Sequence, residues 1–501
     1  MNLTARITRA LGSRRFLYGV LLFFGLEGVW VALSAAYPMA FDEEFHIGVI
    51  RMYTHQWLPF LAGQPDNAGQ FGALAADPSY LYHYAMSFPY RLLQWLGLGQ
   101  MGIVIVLRLI NVALAVAAVY LFARVLHRAG MSAAFTNVAA AIFVLVPAVP
   151  LLAGQVNYDN AMLLLLAWMC LLAFDVHAAL LKRQVAVRAL LLCAAACMLA
   201  SLVKYAVLPF AAGIVLFLLG SAILAFRGQW RALLPSLTAG WRAVSHATQA
   251  ATVVIVLVSA VLFVQRYGLN TVRYHTPVPS CDAVLSIHEC LAYGPWARNY
   301  GLSKIVPEDA NTSALAYTYT WAQALHYRLF FAVNGPSDSY RNYPPLPAPS
   351  ATFVLLTITG ILALLCYGWC ALRNRPLLLC LLGMCVLYIG VLWAEDYSQY
   401  VETGQPVAIN GRYLIPMLFP MAAVCGAALR EALRPFRNAA WIKVVATVAI
   451  VLLFINGGGV FTFITRSDTL WYWPEGPARA LNETAQRILL PVIFEGNKYY
   501  Q

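Results

Sequence analysis

The chain has 501 residues, 61% of them hydrophobic and 11% charged, where a soluble protein carries about 25% charged residues. With a mean hydropathy of +0.69, that composition excludes a soluble enzyme and points to a membrane protein of many spans. The net charge of +12 would suggest nucleic acid only if a water-facing basic patch carried it.

Apolar runs long enough to cross a hydrocarbon core of about 30 Å recur along the whole chain. In order they are 16–37, 101–123, 133–153, 161–181, 189–203, 206–226, 248–265, 351–372, 377–394, 413–429 and 444–464, the fifth being short. These eleven runs predict an all-α polytopic fold with the termini on opposite sides. The excess of Lys and Arg on cytoplasmic segments selects the orientation. With the N-terminus inside, 18 of the 33 Lys and Arg fall on cytoplasmic segments, where the only acids are Asp175 and Glu431. The positive balance is then a topology signal and a contact with anionic lipid, and no nucleic-acid partner is expected. The first run reads as a retained signal anchor, being too long for a signal-peptide core and lacking a small-residue cleavage site.

On this reading residues 1–465 form the transmembrane domain, with long outer loops at 38–100 and 267–350, and 466–501 form an outer tail. Loops of such length are usually functional or disordered. Residues 267–350 hold nine of the 27 tyrosines, which argues for an ordered surface. The same loop holds Cys281 and Cys290, the two cysteines away from apolar spans. An oxidising compartment allows them to pair, although spacing does not decide it.

Just after the first span comes Phe41-Asp42-Glu43-Glu44-Phe45-His46. On a helix, Asp42 and His46 share a face, with Glu43 three residues before His46. Carboxylates and an imidazole at headgroup level suit a general base or a divalent-cation site for Mg or Mn, with Glu44 and His46 as residues that orient an acceptor or a metal. The bland reading is an acidic helix N-terminus. The short turn Asn157-Tyr158-Asp159-Asn160 adds a carboxylate at the same level; its bland reading is a cap.

Two cations complete the set. Lys204 stands at the outer end of the fifth span and Arg412 in Gly411-Arg412-Tyr413-Leu414-Ile415-Pro416 at the start of the tenth. Arg grips phosphate bidentately and Lys acts as a point charge; the bland reading is snorkelling. Tyr413 goes with Arg412 as a candidate beside a donor phosphate. Within the membrane, Glu27 and Arg108 lie at similar depth on antiparallel neighbours, which predicts an ion pair between them.

Asp42-Glu43-x-x-His46, Gly411-Arg412-Tyr413-Leu414-x-Pro416 and the topology resemble the GT-C superfamily of integral-membrane glycosyltransferases and, within that neighbourhood, a bacterial family of multi-pass proteins (DUF2142). The resemblance implies sugar transfer with inversion from a polyprenyl-phosphate or polyprenyl-diphosphate donor to a glycolipid, glycan or protein acceptor, in the cell inner membrane with the site facing the periplasm or exterior. It implies Asp42 as the reaction-centre acid, Asp159 as the second-loop acid and Arg412 as a donor-phosphate ligand, with the choice between Asp42 and Glu43 left open. A lipid or polysaccharide transporter is the rival, although it would place its polar groups at the midplane on broken helices. An intramembrane or zinc peptidase is a weaker rival, since the chain has no His-Glu-x-x-His.

Overall fold

The computed structural model describes residues 3–39, 42–61, 63–66, 68–306, 313–330, 347–436, 440–455, 458–459, 461, 463–464, 471–473 and 477–493. Among these the regular secondary structure is helical, and the extended pairing is a single antiparallel bridge between Ala35 and Tyr472. Eight helices are long and apolar enough to cross a membrane, and Ala133–Val144, Val187–Val203 and Trp441–Ile455 are shorter apolar helices. Together they match the eleven expected segments.

Several boundaries differ from expectation, three of them as follows, and the expected end of the eleventh segment falls partly outside the described residues. The third segment breaks into Ala133–Val144 and Ala148–Ala153, because Pro147 has no N–H for the helical ladder and disfavours a helical residue before it. The seventh runs on to Tyr274 through a π-helical turn at Val264–Gly268. The ninth continues to Thr403, where Gly404 in the left-handed region ends it as a glycine C-cap. Hydropathy marks where apolar residues stop, whereas a helix continues until its hydrogen-bond ladder is interrupted.

The Tyr158–Leu180 helix lies at the centre, against Gln100–Arg128 on one side and Val187–Val203 on the other, while Pro376–Thr403 packs on Leu208–Phe226. The last contact depends on Gly213, since a Cβ there would sit 2.9 Å from the Met384 Cα. Both long loops fold onto this bundle. In the first, Glu43–Tyr53 packs on Leu81–Trp95 over a core that includes Val49, Tyr53, Leu74 and Tyr80. In the second, Tyr317, Trp321 and Leu325 pack with Ile409, and the Trp321 indole N–H donates to Asp396 Oδ2 at 2.7 Å. The start of the tail returns to the end of the first span, where Ala36 N donates to Trp471 O at 2.7 Å. The long loops and the start of the tail therefore meet at one end of the bundle.

Candidate functional site

Asp42 precedes the Glu43–Tyr53 helix with φ 69° and ψ 28°, a left-handed conformation that Asp tolerates better than most residues. The turn sends neighbouring carboxylates to opposite environments. The Asp42 side chain is 57% exposed and its Oδ2 lies 2.6 Å from Arg412 Nη2, whereas Glu43 has no exposed side-chain surface.

Glu43 is fully engaged inside the protein. Its Oε1 accepts from Arg108 Nε at 2.8 Å and Val156 N at 3.0 Å, and its Oε2 from Arg108 Nη2 at 2.7 Å and Met39 N at 2.9 Å. An ionised carboxylate has about four acceptor sites, so none is left for a substrate. The expectation that Glu43 shares the base role is corrected: it is one half of a buried clamp joining the first loop, the Gln100–Arg128 helix and the turn before Asn157.

The same geometry corrects the pairing of Glu27 with Arg108. Arg108 also donates to the Ala32, Ala35 and Ala36 carbonyls, the terminal acceptors of the first span, which lack intrahelical partners and carry the negative end of the helix dipole. Glu27 lies more than a turn below, beside Gly459, where an added Cβ would be 2.2 Å from Glu27 Oε1.

Asp159, Lys204 and Arg412 come together from three chain segments. Asn157 caps the Tyr158–Leu180 helix by accepting from Asp159 N at 2.9 Å, which directs Asp159 into the bundle. Lys204, at the C-terminal end of Val187–Val203, reaches Asp159 Oδ1 at 2.5 Å. Its Nζ lies between the rings of Tyr158 and Tyr413, 4.7 and 5.2 Å from their centroids. Arg412 Nε lies 3.8 Å from Asp159 Oδ2, and Asn410 holds the Arg412 backbone by accepting its N–H at 3.1 Å. The preceding glycine is a steric requirement: a Cβ on Gly411 would be 2.4 Å from the Arg328 carbonyl carbon and from Leu329 N. Four charges thus meet, two of each sign, with only Asp42 largely exposed.

His46 is buried and stacks on His83, with ring centroids 5.2 Å apart. Its Nδ1 is 2.9 Å from His83 Nε2, and His83 Nδ1 is 3.1 Å from the Ser79 carbonyl oxygen. Burial, followed by the charges of His83, Arg412 and Lys204, holds His46 well below the ordinary range of histidine. Burial brings His83 down to about 4. Both rings are therefore neutral near pH 7. Glu44 is exposed and forms no ion pair with the cluster.

Among the described residues no group of three His, Cys, Asp or Glu converges to hold a metal ion. Asp42 and Asp159 face Arg412 and Lys204 rather than each other, so the donor set does not fit the expected divalent cation. Cys281 and Cys290 are joined in a disulfide with Cα atoms 5.9 Å apart. Tyr293, just beyond, lies against Gly72 of the first loop, so this knot ties the two long loops together.

Sequence reasoning missed His83, the partnership of Arg108 with Glu43, and Asn111, whose Oδ1 accepts from Tyr82 Oη at 2.9 Å and Asn160 Nδ2 at 3.1 Å. His83 sits in an aromatic run, Tyr80-Leu-Tyr-His-Tyr84, and a single histidine among aromatics offers no spacing signal. Asn111, three residues after Arg108 on the same helix face, was the available clue.

No family model matches the chain and no curated protein does, so the resemblance to the DUF2142 family gains no support from either comparison. Among solved structures the chain is similar to the oligosaccharyltransferase of Archaeoglobus fulgidus. The apo form shows 13% identity and a TM-score of 0.46, and the form tethered by a disulfide to an acceptor peptide containing the NVT sequon shows 12% and 0.45. Both alignments cover 90% of this chain and 55% of the other, so the chain spans about half the length of the protein it matches.

Proposed function

We propose that the chain is an integral-membrane glycosyltransferase of the GT-C type, moving a sugar from a polyprenyl-phosphate or polyprenyl-diphosphate donor to an acceptor hydroxyl at the outer face of the membrane. One observation carries the proposal: an exposed carboxylate, Asp42, at a strained turn on the mouth of the first span, against the buried cations Arg412 and Lys204. The similarity to oligosaccharyltransferase is too remote to add to it.

The chemistry follows from charge. Asp42 takes the proton of the acceptor hydroxyl as its oxygen bonds to the anomeric carbon. The bond from that carbon to the phosphate oxygen breaks, and its electron pair leaves with the phosphate. Arg412 and Lys204 stabilise the charge that develops there, fixed in advance by Asp159, the Tyr158 and Tyr413 rings and the Asn410 cap. A single displacement inverts the anomeric configuration. The donor's hydrocarbon stays between spans while its phosphate reaches the polar end of the bundle. The acceptor is a glycolipid, glycan or protein, and the site faces the periplasm or exterior of an inner membrane. No metal step is included, because the donor set does not fit one.

The test is transfer from a radiolabelled polyprenyl-phosphoryl-hexose panel by the protein in nanodiscs, with mass spectrometry of co-purified lipid. Asp42→Asn is expected to cut turnover at least about a hundredfold with an unchanged melting curve. Wild-type turnover in that variant would remove Asp42 from the centre; no transfer from any donor together with no bound polyprenyl lipid would refute the reading.

A further inference from the structure

The two buried histidines form a directed pair. The Ser79 carbonyl can only accept, so His83 Nδ1 carries the proton of that neutral ring and His83 Nε2 is an acceptor. His46 Nδ1 must then donate to His83 Nε2, which leaves His46 Nε2 as a bare lone pair. That nitrogen is buried and has no hydrogen-bond partner among the described residues. A buried acceptor left unmatched is destabilising, and a histidine held only for packing would have no reason to be oriented by a relay. The ring belongs to the site's surroundings: its centroid is 4.6 Å from that of Tyr158, the same ring that Lys204 approaches at 4.7 Å.

We propose that His83 locks His46 in the tautomer whose Nε2 accepts a hydrogen bond from a hydroxyl of the sugar substrate, making His46 a specificity-determining residue and His83 its positioning residue. The nature of the ligand rests on the glycosyltransferase reading, whereas the relay does not. A hydroxyl fits because the position needs a donor and bears no charge of its own. An ammonium donor is disfavoured by the adjacent Arg412 and Lys204, whose charges already disfavour a proton on His46.

Two substitutions separate recognition from packing. The amide of His46→Asn takes the place of Nδ1 and keeps a donor to His83, but nothing replaces Nε2; the longer His46→Gln brings its amide oxygen to the Nε2 position. If His46 recognises a hydroxyl, Asn is the damaging change and Gln the milder one; if it only packs on His83, the order reverses.

The experiment uses the full chain in nanodiscs with all nine histidines labelled with nitrogen-15. The probe is octyl glucoside, with its fully O-methylated form as a control that has no hydroxyl to donate. Expected are a His46 protonated at Nδ1 and bare at Nε2, mixed tautomers in His83→Leu, and an Nε2 resonance that moves with the glucoside but not with the methylated form. Glucoside affinity is expected to fall roughly three- to tenfold in His46→Asn and to recover in part in His46→Gln. A proton on His46 Nε2, an Nε2 signal unmoved by glucoside, or Asn milder than Gln would each overturn the proposal. A responsive Nε2 in a protein that transfers from no donor and holds no polyprenyl lipid would sink the glycosyltransferase reading and leave the relay, with His46 Nε2 as a hydroxyl acceptor, standing.

Discussion

The pair formed by Glu43 and Arg108 offers the sharpest test of the architecture. Both side chains have no exposed surface, and two hydrogen bonds of 2.8 and 2.7 Å join them. Removing one partner of a buried ion pair costs about 3–5 kcal/mol, because the other charge stays buried without compensation. Here the remaining partners temper the two single changes differently: Arg108 keeps three carbonyls in Glu43→Gln, and Glu43 keeps two backbone N–H donors in Arg108→Met. Each single change is expected to fall near 3 kcal/mol, the double change well short of their sum, and the coupling energy at about 2 kcal/mol or more. Equilibrium unfolding of the four proteins in bicelles, read by steric trapping, measures this cycle. A parallel cycle of Glu27→Gln with Arg108→Met should be additive to within about 0.5 kcal/mol. Additivity for Glu43 with Arg108, or strong coupling for Glu27 with Arg108, would refute the assignment.

Other consequences are open to measurement. His83, lowered in the fold to about 4 from an ordinary 6.5, stays neutral there while the unfolded chain gains a proton. Its contribution is therefore complete above about pH 6.5 and is lost as pH falls toward 4, by roughly 3 kcal/mol; His83→Asn should flatten that part of the stability profile, and an unchanged profile would contradict the burial. Gly411→Ala should cost at least about 3 kcal/mol and abolish turnover, since its Cβ meets backbone at 2.4 Å; a wild-type melting curve would show that the approach of the Arg328 turn is not as close as described. Peptide mapping without reductant should recover Cys281 joined to Cys290, and replacing both with serine should cost about 2–3 kcal/mol, whereas free thiols at both positions would rule the link out.

Much of the fold was legible in the chain because hydropathy is a local property. Every expected apolar segment is helical, and two of the misplaced edges lie where backbone chemistry, at Pro147 and Gly404, overrides side-chain polarity. The site was legible in part. Asp42, Asp159, Lys204 and Arg412 stood out because charges are rare here and these sit at the ends of spans; that four chain regions bring them together as two ion pairs, Arg412 with Asp42 and Lys204 with Asp159, is a product of packing.

The sequence by itself determined that the chain lives in a bilayer, how many apolar helices it has and where its scarce charges stand, since a hydrocarbon core of about 30 Å leaves little freedom to a run of some twenty apolar residues. Only the tertiary structure decided what each charge meets. A left-handed turn at Asp42 parts two adjacent acids, one toward Arg412 and one into the clamp with Arg108, and the rotation of Gln100–Arg128 aims Arg108 at the carbonyl end of the first span rather than at Glu27. Depth along a helix can be counted from the chain, but the direction in which a side chain leaves it depends on how the helices are turned against one another.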